Sequence, residues 1–416
     1  GDTRLAFTPA ADFHGSISDV VTLKAWDRTG GYTNGKAGVP TKVVAGTFDT
    51  PDDAYRVTVS ADEDTLYVAD GSSGIQIINV NDPSAPTLTG VLDTPGWATL
   101  VALSPDGHTA YVTDYGAGLQ IIDINDSSAP ELISTLGIGE SSTVNSVTLS
   151  ANGSTAYVAD RRSGLRVVDV SNPNAPTLAD TFDTSGDCFA VTLSNDGDLA
   201  YVADGDNGLQ IISVNDPSNL TSLGTLDTSG YAYGVALSEN GDTAYVADYD
   251  GGLQIINVSN PSAPTLLGTI DTSPANTINS GKALDVTLSP DGSRAYVADE
   301  RDGLQIIDVS NPSAPTLLGT IDWGRVNGVA LSDDGDTAYV AADTNGLKII
   351  DVSNPSAPIL KGTLDTNGVA SDVTLSSDGD TAYVTSGGLY IIDVSNPNAP
   401  AITGTIPSVS YVARRS

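Results

Sequence analysis

Methionine is absent from the 416 residues, cysteine occurs once and histidine occurs twice. A single cysteine, Cys188, excludes an internal disulfide framework. With one cysteine, and with His14 and His108 as the only histidines, a Cys–His nucleophile pair and a histidine-rich zinc site are not expected either. The missing methionine predicts that the chain does not begin at a translation start and is a processed product or a fragment of a longer protein.

Lysine and arginine are scarce, with 17 residues against 52 acidic ones, a formal charge of −35 and a pI near 4.1. Since phosphate binding needs clustered basic residues, this balance argues against nucleic acid as a partner. No apolar run approaches the 18 or so residues of a membrane helix, so membrane insertion is not expected. Most of the acids are aspartate, which forms Asx-turns, and we therefore attribute much of the charge to turns. The remainder suits a salty or calcium-rich exterior.

What the chain does contain is an internal repeat, illustrated by Tyr-Val-Ala-Asp at residues 296–299 and Gly-Leu-Gln-Ile-Ile-Asp-Val at residues 303–309. The repeat recurs at intervals of 43 to 51 residues. Its first residues are Tyr67, Tyr111, Tyr157, Tyr201, Tyr245, Tyr296, Tyr339 and Tyr383. A repeat period in the forties, in which each unit consists of strands and turns, is typical of a β-propeller with one blade per repeat.

Each unit reads as four strands, with an Asp-Gly hairpin turn after the first strand and a proline-bracketed corner before the fourth. The sequence thus predicts an all-β fold, an eight-bladed propeller of four-stranded antiparallel blades over residues 41–416, with a short N-terminal β segment. The two ends leave strands to spare. Residues 41–50 match a fourth strand that residues 399–406 already supply, and residues 410–413 read as a ninth inner strand. Either one spare strand lies outside the ring or it is donated to another chain.

These units resemble the LVIVP-type repeats of bacterial and archaeal cell-surface proteins and, more loosely, YVTN-type propellers. The matching pieces are Ser-x-Asp-Gly-x-x-Ala-Tyr-Val-Ala-Asp and Gly-Leu-x-Ile-Ile-Asp-Val-Ser-Asn-Pro-x-x-Pro. The resemblance implies a location at the cell surface and no defined reaction. Residues 1–40 resemble the C-terminal part of a cadherin-like or Ig-like module plus a linker, on Phe7, Pro9, Asp12, Phe13 and the Ala-Trp-Asp of residues 25–27. The alternative is an extension that lies along the propeller.

Comparison of the eight copies separates two faces of the predicted ring. The first-to-second and third-to-fourth connections repeat with little change and form the uniform face, whereas the other two connections differ among copies and form the variable face. Loops on a rigid scaffold usually carry binding, and exposed aromatic rings stack on sugars or anchor a protein partner. The predicted binding residues are Tyr55, Trp97, Tyr115, Tyr231, Tyr233, Tyr249, Trp323 and Arg325. The alternative is that each aromatic covers the end of its own blade.

A recurring aspartate ends the second strand in six units, at Asp70, Asp114, Asp160, Asp204, Asp248 and Asp299. Each is expected to accept amide hydrogens of the turn that follows it. The other interpretation is calcium, which takes six to eight oxygen ligands. No spacing here matches a known calcium loop, so calcium is a candidate cofactor without an assigned site, and no metal ligand is predicted.

The function expected from these features is non-enzymatic, that of an extracellular binding or adhesion module whose partner is a protein or glycan at the cell surface. The first alternative is a structural subunit that self-associates through its spare terminal strands. The second is a polysaccharide hydrolase or lyase, since such reactions run on two carboxylates. Asp285 and Asp372, near Arg56 at the start of inner strands, are the pair to test for it.

Overall fold

The computed structural model describes residues 52–137, 143–272, 282–366 and 368–403. These residues form 32 β-strands, β1 to β32, arranged as eight antiparallel sheets of four strands. In every sheet, strands that follow one another in the chain are hydrogen-bonded neighbours. The predicted all-β, eight-bladed propeller is therefore confirmed. No described residue belongs to a helix long and apolar enough to cross a membrane.

The blades follow the repeats in order, each contributing an inner, a second, a third and an outer strand. Blades 1 to 4 consist of β1 Arg56–Val59, β2 Thr65–Ala69, β3 Ile75–Asn79, β4 Thr87–Leu92; β5 Trp97–Leu103, β6 Thr109–Tyr115, β7 Gly118–Asp123, β8 Glu131–Leu136; β9 Val144–Leu149, β10 Thr155–Asp160, β11 Gly164–Asp169, β12 Thr177–Phe182; β13 Ala190–Leu193, β14 Leu199–Ala203, β15 Leu209–Ser213, β16 Thr221–Leu226. Blades 5 to 8 consist of β17 Gly234–Leu237, β18 Thr243–Ala247, β19 Leu253–Asn257, β20 Thr265–Ile270; β21 Ala283–Leu288, β22 Arg294–Asp299, β23 Gly303–Asp308, β24 Thr316–Ile321; β25 Gly328–Leu331, β26 Thr337–Ala341, β27 Leu347–Asp351, β28 Ile359–Leu364; β29 Ala370–Leu375, β30 Thr381–Ser386, β31 Leu389–Asp393, β32 Ala401–Ile402.

The hydrophobic core lies between blades and not within them. The third strand of each blade has consecutive apolar residues, such as Ile306 and Ile307, and both are fully buried because one faces each neighbouring blade. One cluster, for example, packs Tyr245 and Leu253 of blade 5 against Val286 and Ile307 of blade 6. An isolated blade would leave both faces in water, so the ring folds as a set of mutually supporting repeats.

A glycine in most outer strands makes room for the proline corner of the next blade. A Cβ atom on Gly319 would lie 2.3 Å from the carbonyl oxygen of Pro355, a distance that no side chain tolerates. In blade 2 the same place is held by Ser134, whose hydroxyl donates to the carbonyl of Pro173 over 2.8 Å. The Leu-Gly-Thr sequence of the outer strands is thus a blade-to-blade contact, which explains its recurrence.

The ring closes by packing of blade 8 against blade 1. A shared cluster contains Val57 and Leu66 of blade 1 together with Tyr383 and Leu389 of blade 8. The hydroxyl of Thr385 donates to the carbonyl of Tyr55 over 3.0 Å across the same seam. The outer strand of blade 8 is β32, which follows β31 directly in the chain.

The predicted spare strands, residues 41–50 and 410–413, lie outside the described residues. The propeller belongs to the unit Ala45–Ser416, and the other unit of the chain is Gly1–Val44. The prediction of a cadherin-like or Ig-like segment with its linker over residues 1–40 also falls outside the described part, so it stays a prediction.

Candidate ligand-binding face

The uniform face consists of hairpin turns whose aspartates are engaged by their own turns. In the β21–β22 turn, the hydroxyl of Ser289 and the amide of Ser293 donate to Asp291 over 2.6 and 3.0 Å. The hydrogen bond from Ser289 is the main cause that lowers the pKa of Asp291 to about 2. Similar turns recur around the ring, as at Ser332 and Asp334. The charge on this face is therefore largely turn chemistry, in keeping with the interpretation of the composition.

The aspartates that end the second strands are completely buried. Asp160 and Asp299 accept amide hydrogens of the turns that follow them, as expected. Asp248 instead accepts hydrogen bonds from the hydroxyl of Thr228 and, over 2.8 Å, from the amide of Gly230. Both donors belong to the connection that enters blade 5 from blade 4. The expectation of a simple turn cap is thus wrong for Asp248, whose carboxylate fastens successive blades to each other.

Asp204 repeats this contact one blade earlier, because the hydroxyl of Thr184, in the connection from blade 3, donates to its carboxylate. The side-chain amide of Asn207, in the turn that follows Asp204, donates to it over 3.0 Å. Desolvation outweighs these hydrogen bonds and raises the pKa of both Asp204 and Asp248 to about 6. In blade 8 a neutral pair takes the same place, since the Ser386 hydroxyl donates to that of Thr366 over 2.7 Å. The blade-to-blade contact therefore does not depend on a charge.

The variable face surrounds a cavity on the propeller axis with a volume of about 1100 Å³. Side chains from all eight blades line it, and they include Tyr55, Tyr115, Tyr233 and Arg325 of the predicted binding residues. No group of three or more His, Cys, Asp or Glu side chains suited to hold a metal ion occurs among the described residues. Calcium therefore stays without an assigned site.

One level of this cavity is set by residues that hold equivalent places in the inner strands. Each is paired with the residue that lies two positions after the repeat tyrosine of its blade. From blade 1 to blade 8 these residues are Arg56, Leu100, Ser146, Ala190, Gly234, Asp285, Gly328 and Asp372. We call this level the throat. Three of its members are charged and the others are small, polar or apolar.

Four aromatic side chains from blades 4 and 5 form a continuous group beside the cavity, the aromatic arc. Its members are Phe189, Tyr231, Tyr233 and Tyr249. The ring centroids of Phe189 and Tyr233 are 4.3 Å apart with an angle of 33° between the planes, and those of Tyr233 and Tyr249 are 5.2 Å apart. Such ring contacts each add about 0.5–1.5 kcal/mol beyond area burial and fix the rings in place.

Charged side chains hold the first end of the arc. The guanidinium of Arg161 lies 5.1 Å from the centroid of Phe189 and pairs with Asp187 over 2.9 Å. The same carboxylate accepts the hydroxyl hydrogen of Tyr231. Desolvation and this hydrogen bond raise the pKa of the Tyr231 phenol to about 12. Beside these residues lies a second cavity of about 550 Å³ between blades 3 and 4.

A second set of charges holds the other end. The ammonium of Lys282 lies 4.3 Å from the ring centroid of Tyr249 and donates to its hydroxyl oxygen. Glu300 accepts the Tyr249 hydroxyl hydrogen over 3.0 Å and pairs with both Lys282 and Arg325 over 3.5 and 3.3 Å. Arg325 also donates to Asn327 over 2.6 Å. The arc and its charges therefore form one connected band from blade 3 to blade 7.

Three of the predicted aromatics lie on blades 1 and 2, outside the arc. Trp97 and Tyr115 are paired directly across β5 and β6, and 36% and 53% of their surface is exposed. The rings of Tyr55 and Trp97 meet edge to face with centroids 6.2 Å apart. Trp323 differs, because it packs partly buried against the core between blades 6 and 7. Its placement favours the alternative interpretation, in which an aromatic covers the end of its own blade.

The structure thus groups the predicted residues into Tyr231, Tyr233 and Tyr249 in the arc, Arg325 at its end, and Tyr55, Trp97 and Tyr115 on blades 1 and 2. The sequence-based set omitted Phe189, which is central to the arc, although its position in a loop of the variable face was a usable signal. It also omitted the charged side chains Arg161, Asp187, Lys282 and Glu300. Their pairing joins loops of different repeats, and no spacing in the sequence indicates it.

The carboxylates named for a hydrolase or lyase lie in the throat. Asp285 lines the axial cavity, and Asp372 is half-buried at the same level. Desolvation raises the pKa of Asp372, an effect that the charge of Arg56 and the amides of Val373 and Val57 oppose and the charge of Asp285 reinforces. A raised carboxyl pKa occurs in acid catalysts and in structural sites alike, so the catalytic interpretation stays a prediction.

The propeller is similar to several solved structures that share its fold. Sqt1 of Saccharomyces cerevisiae is 12% identical with a TM-score of 0.71, covering 85% of this chain and 99% of that one. Chaetomium thermophilum Sqt1 bound to the N-terminus of the ribosomal protein L10 is 12% identical with a TM-score of 0.67, covering 84% and 99%. The periplasmic gluconolactonase PpgL of Pseudomonas aeruginosa is 18% identical with a TM-score of 0.56, covering 72% and 95%. At these identities the likeness concerns the fold alone.

No curated protein matches the chain. The LVIVD repeat matches it eight times, at residues 53–94, 95–136, 145–184, 186–228, 229–272, 280–322, 324–366 and 367–406. Each matched segment corresponds to one blade of the propeller. The resemblance to a family of repeat propellers is confirmed at this level. Because the matched segments together account for most of its length, the chain belongs to the LVIVD repeat family.

Proposed function

We propose that this propeller is a non-enzymatic binding or adhesion module of a large surface protein, located outside the cell, and that its ligand face is the variable face. The observation that carries the proposal is the set of aromatic side chains around the axial cavity, held by ion pairs and partly open to solvent. Aromatic side chains in preformed concave sites are the usual anchors for sugars and for protein partners.

The two faces support the choice of surface. On the uniform face the aspartates are engaged by their own turns, whereas Trp97 and Tyr115 on the variable face leave a third to a half of their surface in water. Contiguous exposed apolar side chains are typical of interaction sites, and Trp97 adjoins both Tyr115 and Tyr55. Sqt1 of Chaetomium thermophilum, which has a similar fold, has a crystal structure in which it is bound to the N-terminus of the ribosomal protein L10. That precedent agrees with a protein ligand here, and a glycan is the other candidate.

The surface location and the large parent protein depend on the resemblance of the repeats to those of cell-surface proteins, on the resemblance of residues 1–40 to a cadherin-like or Ig-like module, and on the acidic composition. Detection of the protein on intact cells with an antibody against the propeller tests the location. Signal only after permeabilisation would contradict it.

Binding is tested with glycan and protein arrays probed with the labelled propeller and with a Trp97→Ala/Tyr115→Ala double variant. We expect the double variant to lose at least about tenfold in affinity, because both side chains are exposed anchors at the edge of the axial cavity. Leu317→Ala is the matched control, since Leu317 is exposed to a similar extent, 43%, on an outer strand. Equal losses in both variants would refute the assignment of the face.

The alternative function, that of a structural subunit, is tested separately. The predicted spare strand at residues 410–413 follows the predicted fourth strand of blade 8, residues 399–406. Deletion of residues 407–416 removes the spare strand and keeps the whole of the last repeat. If these residues join neighbouring subunits, sedimentation of the truncated chain will show a monomer where the complete chain assembles.

A further inference from the structure

In five consecutive blades, glycines alternate with charged residues in the throat of the axial cavity, and the last of the five is charged as well. Blades 5, 6, 7, 8 and 1 contribute Gly234, Asp285, Gly328, Asp372 and Arg56 at the same level. A Cβ atom on Gly234 would lie 3.3 Å from Oδ1 of Asp285, and one on Gly328 would lie 3.3 Å from Oδ1 of Asp372. Because glycine has no side chain, neither residue covers the carboxylate next to it. Asp285 lies between the glycine positions of blades 5 and 7.

The two carboxylates are in different situations. Asp372 is half-buried and faces the guanidinium of Arg56 and the amides of Val57 and Val373, which favour its ionised form. Asp285 is exposed to the cavity, and its carboxylate makes no hydrogen bond or ion pair with any other described residue. Arg56 therefore offsets the charge of Asp372 and leaves Asp285 as the unbalanced negative charge of the throat.

The surroundings of Asp285 suit a slender cationic side chain. Tyr233 and Asn327, the residues that precede the two glycines, line the cavity next to it, and the ring of Tyr233 belongs to the aromatic arc. A cation close to a tyrosine ring and a carboxylate gains from both. On the other side of the cavity, Tyr55 and Tyr115 offer apolar surface to the residues that would flank such a side chain.

We propose that the throat receives a lysine or arginine side chain of a partner protein, with its charged end beside Asp285 and its apolar neighbours against Tyr55, Trp97 and Tyr115. This inference rests on the proposed binding function and specifies the partner. Charge complementarity favours a basic protein segment over a glycan, because the whole chain carries −35 and attracts cationic partners at long range. A neutral glycan would gain nothing from that field.

The probe is a randomised heptapeptide library, screened in parallel with a glycan array against the same propeller preparation. We expect the selected peptides to contain a lysine or arginine flanked by apolar residues. Replacing that lysine with norleucine in a selected peptide removes the charge and keeps the stem. We expect this change and Asp285→Asn each to weaken binding about tenfold to a hundredfold, as for a charge-assisted hydrogen bond in a cavity.

Two further variants test whether the affinity depends on the charge at Asp285 itself, on the overall charge of the face, or on the space beside Asp285. Asp250→Asn removes one exposed carboxylate from the same face outside the axial cavity, and we expect it to change the affinity less than twofold. Gly234→Ala keeps every charge and narrows the space beside Asp285, and we expect it to weaken binding as well. Circular dichroism and urea unfolding of each variant show that the fold is retained.

The outcomes distinguish this inference from the function on which it rests. Basic peptides that depend on Asp285 and not on Asp250 support it. Peptides that bind equally well to the Asp285→Asn variant, or binding of glycans alone, overturn the throat site and leave the binding function standing. If the propeller retains neither peptide nor glycan, both the throat site and the binding function are refuted.

Discussion

The buried aspartates between blades predict an unusual dependence of stability on pH. Asp204 and Asp248 are fully buried, and desolvation raises the pKa of each carboxyl group to about 6. In the unfolded chain an aspartate titrates near 3.9. A group with a raised pKa in the folded state contributes stability that is complete below the unfolded pKa and is lost as the pH rises through the folded pKa. The propeller should therefore become more stable as the pH falls from 7 to 5.

The size of the effect follows from the two pKa values. A shift from about 3.9 to about 6 contributes about 1.3 kcal/mol of additional stability at pH 5 relative to pH 7 for each group, or about 2.6 kcal/mol for both. Asp291 has the opposite shift, to about 2, so the stability that it contributes is lost only as the pH falls below 4. The maximum of stability is thus expected between pH 4 and 5.

The perturbation that isolates the effect is the Asp204→Asn/Asp248→Asn double variant. Asparagine holds the neutral form at every pH and can still bond the threonine and amide partners of the aspartates. Urea unfolding followed by circular dichroism at pH 5, 6 and 7 should show that the double variant lacks about 2.6 kcal/mol of the gain seen in the parent protein.

The matched control is the Asp206→Asn/Asp250→Asn variant, which removes two exposed loop carboxylates from the same blades. It makes the net charge less negative by the same amount. It therefore shows how much of any change in stability comes from weaker general repulsion between charges. If the variant without Asp204 and Asp248 gains as much stability on acidification as the control, the assignment of the raised pKa values to these buried groups is refuted.

Three further predictions follow from the packing. Ile306→Ala, at a fully buried position between blades 6 and 7, should lower the free energy of unfolding by about 2–5 kcal/mol in urea titrations, and a loss below 1 kcal/mol would contradict the two-sided core. Gly319→Ala should destabilise the propeller, because its Cβ would meet the Pro355 carbonyl, whereas Gly137→Ala, with no atom within 4 Å, should not; equal unfolding midpoints would contradict the contact. Cys188 is buried and the pKa of its thiol is raised well above the usual value, so a thiol reagent should label it only after denaturation, and rapid labelling of the folded protein would refute its placement.

The sequence predicted the ring and its blades because each repeat carries its own strand and turn signals, and the period needs no long-range information. The throat was also within reach, since Arg56, Asp285 and Asp372 each precede the repeat tyrosine of their blade by eleven residues. Equal spacing in a repeat implies an equal place in the ring, which is why these charges were expected near one another.

The side-chain band from Arg161 to Arg325 could not be predicted in the same way. Its contacts join loops of different repeats, such as Phe189 of blade 4 with Tyr233 of blade 5, and those loops differ in length and composition. Trp323 shows the converse problem. It has the same loop context as the exposed aromatics, and only packing against the core between blades 6 and 7 distinguishes it from them.

Two adjacent positions of the inner strands show which residue types the fold explains and which it does not. The residue that follows the throat position is valine in all eight blades, as at Val57, Val286 and Val373, because it packs in the core between blades. The throat position has the same backbone pairing but faces the cavity, and there the blades differ, with Asp285 and Arg56 among small and apolar residues. Packing between blades fixes the first position, whereas the second varies from blade to blade. The architecture therefore does not require charges in the throat, and the proposed basic ligand is the reason that we offer for them.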